Sequence, residues 1–272
     1  MWRCFFIRKN LHIYKIKKQD GTNMVDFSKS NWQQEFNEKQ LNQIILGFEN
    51  NLTPEQIAVY ANPKFDNDQM RQIRTGFENG LTMKQVAVYA DPKFEWNQMH
   101  EIRTGFEDGL TMERVAIYAD PGFNDKQMRE IRTGFENGLS TEQVAVTEQV
   151  AVYADPKFNC DQMYEIRTGF KNDLTMEQVV VYADPKFDSD QMFEIRLGLE
   201  NGLAIEQVAG YADSKFNWNR MWKIRLGLKE KLSSVKKTQS SEGKPLSIND
   251  KLNALEAGRK LASVTVKDDI IK

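Results

Sequence analysis

Apolar residues recur along residues 36–232 with helical spacing, and the pattern repeats every 29 residues. The phenylalanines that open successive units are Phe36, Phe65, Phe94 and Phe123, then Phe158, Phe187 and Phe216, each 29 residues apart within its run. A typical unit reads FDNDQMRQIRTGFENGLTMKQVAVYADPK. Its apolar residues lie three and four apart and do not alternate with polar ones at period two. The pattern predicts helices and no strands.

Each unit contains start and stop signals for two helices. In the second unit, Asp66 is placed to cap a first helix that has Gln69 as its third residue. Gly80 is placed to end this helix in the left-handed conformation. Thr82 then begins a second helix, which Pro92 ends because the residue before a proline is pushed out of the helical region. The unit is therefore predicted to be a helical hairpin.

A hairpin of this size cannot bury its apolar stripe alone, so the units must stack. In the second unit the predicted core consists of Met70, Ile73, Phe77, Leu81, Val86 and Ala90. A mid-helix glycine, Gly76, recurs in every unit at a cost of about 1 kcal/mol relative to alanine. We expect a neighbouring helix to approach closely there. The predicted fold is all-α, an α-solenoid of about seven two-helix repeats.

Residues 141–152 contain the hexapeptide TEQVAV twice in succession, and this doubling interrupts the period. The step from Phe123 to Phe158 is 35 residues, six more than elsewhere. Six residues turn a helix by about 600° and lengthen it by about 9 Å, so they change the face that it presents. We expect the doubling to extend or bulge the second helix of unit four, as a tolerated replication slip that sets an abnormal angle between units four and five.

The chain outside the repeats divides into three further segments. The predicted organisation is a basic N-terminal arm or cap at 1–35, the repeat array at 36–232, a polar linker at 233–246 and a C-terminal helix and tail at 247–272. Residues 1–23 lie outside the period and Met24 offers an alternative start, so we expect them to be dispensable.

The charge is distributed unevenly along a chain whose overall composition is ordinary. The 272 residues carry a formal net charge of −2, but residues 31–232 contain 22 basic and 32 acidic residues, a net charge of −10. The two cysteines, Cys4 and Cys160, offer neither a disulfide framework nor metal-ligand spacing. No apolar run is long enough to span a membrane. We expect a cytoplasmic protein with no cofactor, no metal site and no membrane contact. Because no catalytic motif is present, we also expect it not to be an enzyme.

The segment LTPEQIAVYAN, residues 52–62, resembles the first helix of transcription activator-like effector repeats. That resemblance would imply DNA reading by the loop that follows. Here the loop is nearly constant (NPKF, DPKF, DPGF, DPKF, DPKF, DSKF), whereas a base-reading loop must vary. The units also resemble short helical tandem repeats of bacterial and mobile-element proteins, which implies a fold and no activity.

The variable positions point to one candidate binding stripe. Counting the opening phenylalanine as position 1, position 3 holds Glu38, Asn67, Trp96, Asp125, Cys160, Ser189 and Trp218, and position 7 holds Asn42, Arg71, His100, Arg129, Tyr164, Phe193 and Trp222. Positions 3 and 7 share a helix face, and position 10, on its flank, is arginine in units two to seven. The predicted binding residues are Trp96, His100, Arg103, Arg129, Arg132, Tyr164, Arg167, Phe193, Arg196, Trp218, Trp222 and Arg225.

For the arginines, pairing with glutamate four residues later, or with the aspartate before proline of a neighbouring unit, is the competing structural explanation. Aromatic residues and arginine are enriched at binding hot spots, so a scaffold for a protein or peptide is the favoured function. An acidic inhibitor that competes with nucleic acid is a second hypothesis. Nucleic-acid binding through the basic ends is a third, which the acidic array disfavours.

Overall fold

The structure is a computed structural model that describes residues 35–136 and 143–242, without the side chains of 143–147 and 235–242. The predicted N-terminal arm, apart from residue 35, and the predicted C-terminal helix lie outside the described residues.

The described residues form thirteen helices and no strand, which confirms the all-α prediction. The long helices are α1 (Glu38–Glu49), α3 (Asn67–Glu78), α5 (Trp96–Glu107), α7 (Asp125–Glu136), α9 (Cys160–Lys171), α11 (Ser189–Glu200) and α13 (Trp218–Glu242). The short helices between them are α2 (Pro54–Tyr60), α4 (Met83–Tyr89), α6 (Met112–Ala116), α8 (Gln143–Tyr153), α10 (Met176–Val179) and α12 (Ile205–Ala209).

The helix ends follow the predicted capping signals. Asp66 accepts the backbone N–H of Gln69, whose side chain accepts the backbone N–H of Asp66 in return, and together they form a capping box. At the other end of α3, Gly80 has φ +87° and the N–H of Leu81 donates to the carbonyl of Gly76. This is a Schellman motif, which satisfies carbonyls that the helix end would otherwise leave free.

The helices pack in chain order. Each long helix contacts the next long one, from α1 with α3 through to α11 with α13, and each short helix packs against the long helix before it. The core runs between them, with Met70, Ile73 and Val86 fully buried in the second unit and equivalent residues buried in the others. The principal contacts are thus between neighbours along the chain.

The recurring mid-helix glycine makes room for a tyrosine. A Cβ added to Gly105 would lie 1.9 Å from the hydroxyl oxygen of Tyr118, which comes from the short helix of the same unit. Five other glycines face the corresponding tyrosine in the same way: Gly47, Gly76, Gly134, Gly169 and Gly198. The close approach expected from the sequence is therefore present, but it comes from a side chain that the predicted core omitted.

The capping glutamine of each long helix also joins its unit to the next one. The Nε2 of Gln98 donates to the carbonyl oxygens of Pro121 and Phe123, at 3.2 and 2.5 Å, in the loop that opens the following unit. Gln40, Gln69, Gln127, Gln162 and Gln191 make the same two contacts. The aspartate of that loop holds its turn, as where Asp91 accepts the N–H of Lys93. The constant loop is therefore a joint between units.

The doubled hexapeptide lengthens the short helix of unit four without altering the next joint. Helix α8 has 11 residues where α4 has seven, so the predicted extension is confirmed. The second copy takes the usual place, since Val150 and Tyr153 lie against Gly134. Gln127 still donates to the loop of unit five. The contacts between units four and five match those elsewhere, and the expected abnormal angle stays a prediction.

The last helix, α13, continues through the first part of the predicted linker. It runs unbroken from Trp218 to Glu242. The chain has no glycine or proline between Leu228 and Glu242, and Gly243 and Pro245 follow directly. Helix α13 therefore covers residues 233–242 of the predicted linker, where no glycine or proline breaks a helix.

Candidate interaction surface on the long helices

The arginines at position 10 are structural connectors between units. In units two to seven, the Nε of each one donates to the side-chain oxygen at position 8 of the preceding long helix, over 2.7 to 3.1 Å. The pairs are Arg74 with Gln43, Arg103 with Gln72, Arg132 with Glu101, Arg167 with Glu130, Arg196 with Glu165 and Arg225 with Glu194. We call this set the arginine ladder.

Four members of the ladder also bind a glutamate one turn later on the same helix, as the spacing predicts. These pairs are Arg74–Glu78, Arg103–Glu107, Arg132–Glu136 and Arg196–Glu200. Among the described residues, no arginine of the ladder pairs with the aspartate before proline of a neighbouring unit, the other partner that the sequence suggested. Position 8 takes its place because it lies on the side of the long helix that meets the next one.

The ladder is largely withdrawn from solvent. Arg103, Arg196 and Arg225 are buried, and Arg132 and Arg167 expose about an eighth of their side chains, 13% and 14%. Burial alone would lower the pKa of Arg196, but the hydrogen bonds that Arg196 donates to Glu200 and Glu165, together with their negative charges, outweigh burial and raise that pKa. These five predicted site residues therefore have partners within the chain, and removing one would leave a buried charge unpaired.

The aromatic members of the predicted stripe are exposed. The exposed fractions are 43% for Trp96, 49% for Tyr164, 40% for Phe193, 48% for Trp218 and 39% for Trp222. We call these five residues the exposed aromatic row. Helices α5, α9, α11 and α13 carry these residues. Helix α7 lies between α5 and α9, whereas α9 contacts α11 directly and α11 contacts α13.

Position 7 lies directly over the arginine ladder. The guanidinium of Arg167 lies 5.4 Å from the ring centre of Tyr164, and that of Arg196 lies 5.3 Å from the ring centre of Phe193. In unit three, the Nδ1 of His100 lies 2.9 Å from Arg103. In these units, position 7 therefore combines a solvent-facing side with contact to a largely buried arginine of the ladder.

The two remaining predicted site residues also lie at position 7, and both contact the ladder. Arg129 is exposed and donates to Glu101, whose carboxylate it shares with Arg132. His100 is half-buried, and burial, with the nearby charge of Arg103, lowers its pKa. The imidazole therefore favours its neutral form more strongly than a solvated histidine does.

The sequence reasoning missed the glutamines at position 5 and the acceptors at position 8. Their signal was constancy within the repeat: position 5 is glutamine in units one to six, and position 8 is glutamine or glutamate in the same units. A polar residue that repeats while its neighbours vary indicates a repeated structural contact. Arg220 and Lys223 replace them in unit seven, where no eighth unit follows.

Within the described ranges, no group of three or more histidine, cysteine, aspartate or glutamate side chains is arranged to hold a metal ion. No helix there has both the length and the apolar character needed to cross a membrane. Burial raises the pKa of the Cys160 thiol, which disfavours the reactive thiolate form.

Comparisons with known proteins returned nothing for this chain: no family model, no curated protein and no solved structure matches it.

Proposed function

We propose that the chain is a non-enzymatic scaffold, an α-solenoid of seven two-helix repeats that binds a protein or peptide through its exposed aromatic row. The observation that carries this proposal is the row itself: five large aromatic side chains on the outward faces of packed helices. Rings of this kind supply much apolar contact at little entropic cost, which makes them frequent hot-spot residues.

The first and last units lack the residues that would connect them to a further unit, and this supports an array of seven units. Unit one has Ile45 where the later units have a ladder arginine, and unit seven has Arg220 and Lys223 where the earlier ones have the joining glutamine and the ladder acceptor. Each internal unit therefore carries connectors on both sides, whereas each terminal unit carries them on its inner side only. Stacked repeats need such atypical ends.

The proposal can be tested by affinity capture with matched variants. Trp218→Ala combined with Trp222→Ala removes two rings of the exposed aromatic row. Met83→Ala combined with Met112→Ala removes two equally exposed apolar residues from the short helices. We expect a binding partner retained by the wild type and by the methionine variant to be lost by the tryptophan variant. Equal retention by all three proteins would contradict the proposal.

A second candidate function follows from the charge. Residues 31–232 carry a net charge of −10, and an acidic array of this kind suits an inhibitor that occupies the nucleic-acid site of another protein. If so, the captured partner should be a nucleic-acid-binding protein, and added DNA should displace it from the scaffold.

A further inference from the structure

We propose that units five to seven bind an extended, basic, proline-rich peptide in the polyproline II conformation. This inference rests on the proposed function and narrows its ligand. The three adjacent rings at position 7, those of Tyr164, Phe193 and Trp222, are the site.

The spacing of the rings favours this conformation. Helices α9, α11 and α13 pack side by side, and packed helix axes lie about 8–10 Å apart. Equivalent positions on successive helices therefore repeat at about that distance. A polyproline II helix has three residues per turn and a rise of about 3.1 Å, so the same face recurs about every 9 Å. Every third ligand residue can thus meet one ring.

Two of the three rings are held in place before any ligand binds. Tyr164 and Phe193 lie over the guanidinium groups of Arg167 and Arg196. Those arginines are in turn fixed by hydrogen bonds to Glu130 and Glu165 in the preceding units. Little side-chain entropy remains to be lost on binding, and a polyproline II ligand is itself pre-ordered.

The charge beside Tyr164 and Phe193 favours a basic ligand; beside Trp222 the equivalent position is Asn219, which carries no charge. Asp161 and Asp190 are exposed and lie one turn before Tyr164 and Phe193 on their helices. Neither forms a salt bridge with a described residue, whereas Arg167 and Arg196 are already paired with glutamates. On α9 and α11, the charges beside these two rings that form no salt bridge with a described residue are therefore negative. Arginine or lysine between the prolines would pair with them, and could also stack on the rings.

The probe is a synthetic peptide of repeated Pro-Pro-Arg triplets, long enough to span three units, titrated into the full chain by calorimetry. Its controls are a Gly-Gly-Arg peptide of equal length and charge, and a Pro-Pro-Glu peptide. We expect only the Pro-Pro-Arg peptide to bind with a measurable affinity. Equal binding of the Gly-Gly-Arg peptide would show that charge alone accounts for the interaction, and would overturn the proposal. Absence of binding of the Pro-Pro-Arg peptide would also overturn it.

Variants then locate the site. Tyr164→Ala combined with Phe193→Ala should weaken binding by about tenfold or more, as loss of central anchors does. Asp161→Asn combined with Asp190→Asn leaves the rings and the core untouched and should weaken binding at low salt more than at high salt. Met83→Ala with Met112→Ala should change nothing. A thermal melt checks that each variant is folded, and unchanged affinity in the ring variant would overturn the assignment.

The two proposals can fail separately. If the Pro-Pro-Arg peptide does not bind while the tryptophan variant still loses a captured partner, the exposed aromatic row binds a ligand of another shape. If the peptide fails and all captures are equal, the proposed function fails as well.

Discussion

At the scale of single residues, the glycine at position 12 of the repeat, on the long helix, lies against the tyrosine of the following short helix in units one to six. Tyr118 is fully buried, and its hydroxyl makes no hydrogen bond to a described residue. This hydroxyl oxygen would lie only 1.9 Å from a Cβ added to Gly105. The glycine is thus retained for space, although alanine would be the better helix former.

We therefore expect Gly105→Ala to destabilise the protein by about 1–3 kcal/mol, as overpacking of a core does, despite the gain in helix propensity. Gly227→Ala is the matched control, because nothing lies within 4 Å of its added Cβ. It should raise stability by up to about 1 kcal/mol. Urea unfolding measures both. Adding Tyr118→Phe to Gly105→Ala should restore part of the loss, and a neutral Gly105→Ala would contradict this account.

His100 makes stability depend on pH in a predictable direction. Its folded pKa is lowered from 6.5, first by burial and then by Arg103. The folded state therefore binds fewer protons than the unfolded state as the pH falls through 6.5. Stability should drop over that window and level off below the folded pKa. His100→Phe, which installs the ring of unit six, should lose less stability than the wild type between pH 7.5 and 5.

At the scale of the helices, the glutamine of the capping box has different contacts on the long helices and on the short helices. Gln98 on a long helix caps its own helix and joins the next unit. Gln85 on a short helix accepts the N–H of Thr82, and its side-chain hydrogen bonds to described residues are confined to that cap. Glutamate would serve as well as glutamine in the box itself, but it cannot donate to the carbonyls of the joint.

Gln98→Glu should therefore cost about 1–3 kcal/mol, the range for leaving buried acceptors unpaired. Gln85→Glu should be nearly neutral. Chemical unfolding of the two variants under identical conditions tests this difference. Equal effects would show that the joint between units contributes nothing beyond the cap.

At the scale of the whole molecule, we expect the repeats to tolerate the doubled hexapeptide, because the contacts that join one unit to the next are local. The contacts that join unit four to unit five come from α7, α9 and the loop between α8 and α9, and these keep their usual places. The second copy of the hexapeptide keeps the usual place, with Val150 and Tyr153 against Gly134. A modular array can accept such an insert where a single closed core would have to repack.

Deletion of residues 147–152 should leave the melting temperature unchanged or raise it, because it restores an ordinary unit. We also expect ligand affinity to be unchanged, since the joint between units four and five is already regular. Circular dichroism melts and the peptide titration test both expectations. A deletion that unfolds the protein would show that the insert is required for structure.

Much of this protein could be predicted from the sequence, because the signals involved are local. Helix starts and stops depend on a few neighbouring residues, as Asp66, Gln69 and Gly80 illustrate. The repeat strengthened this prediction, because the same start and stop residues recur in successive units. The same locality predicted the extension of α8 and the exposed faces of Trp96 and Tyr164, which lie off the apolar stripe.

The tertiary structure alone showed which repeated polar residues connect one unit to the next. From the sequence, Arg196 is expected to be a surface residue that pairs with a glutamate on its own helix. In the structure it is buried and also binds Glu165, 31 residues earlier. Gln98 reads as a cap, yet its amide joins two units. Such contacts depend on how helices distant in sequence lie side by side. The helical period places a residue on a face of its own helix, but only packing decides what that face meets.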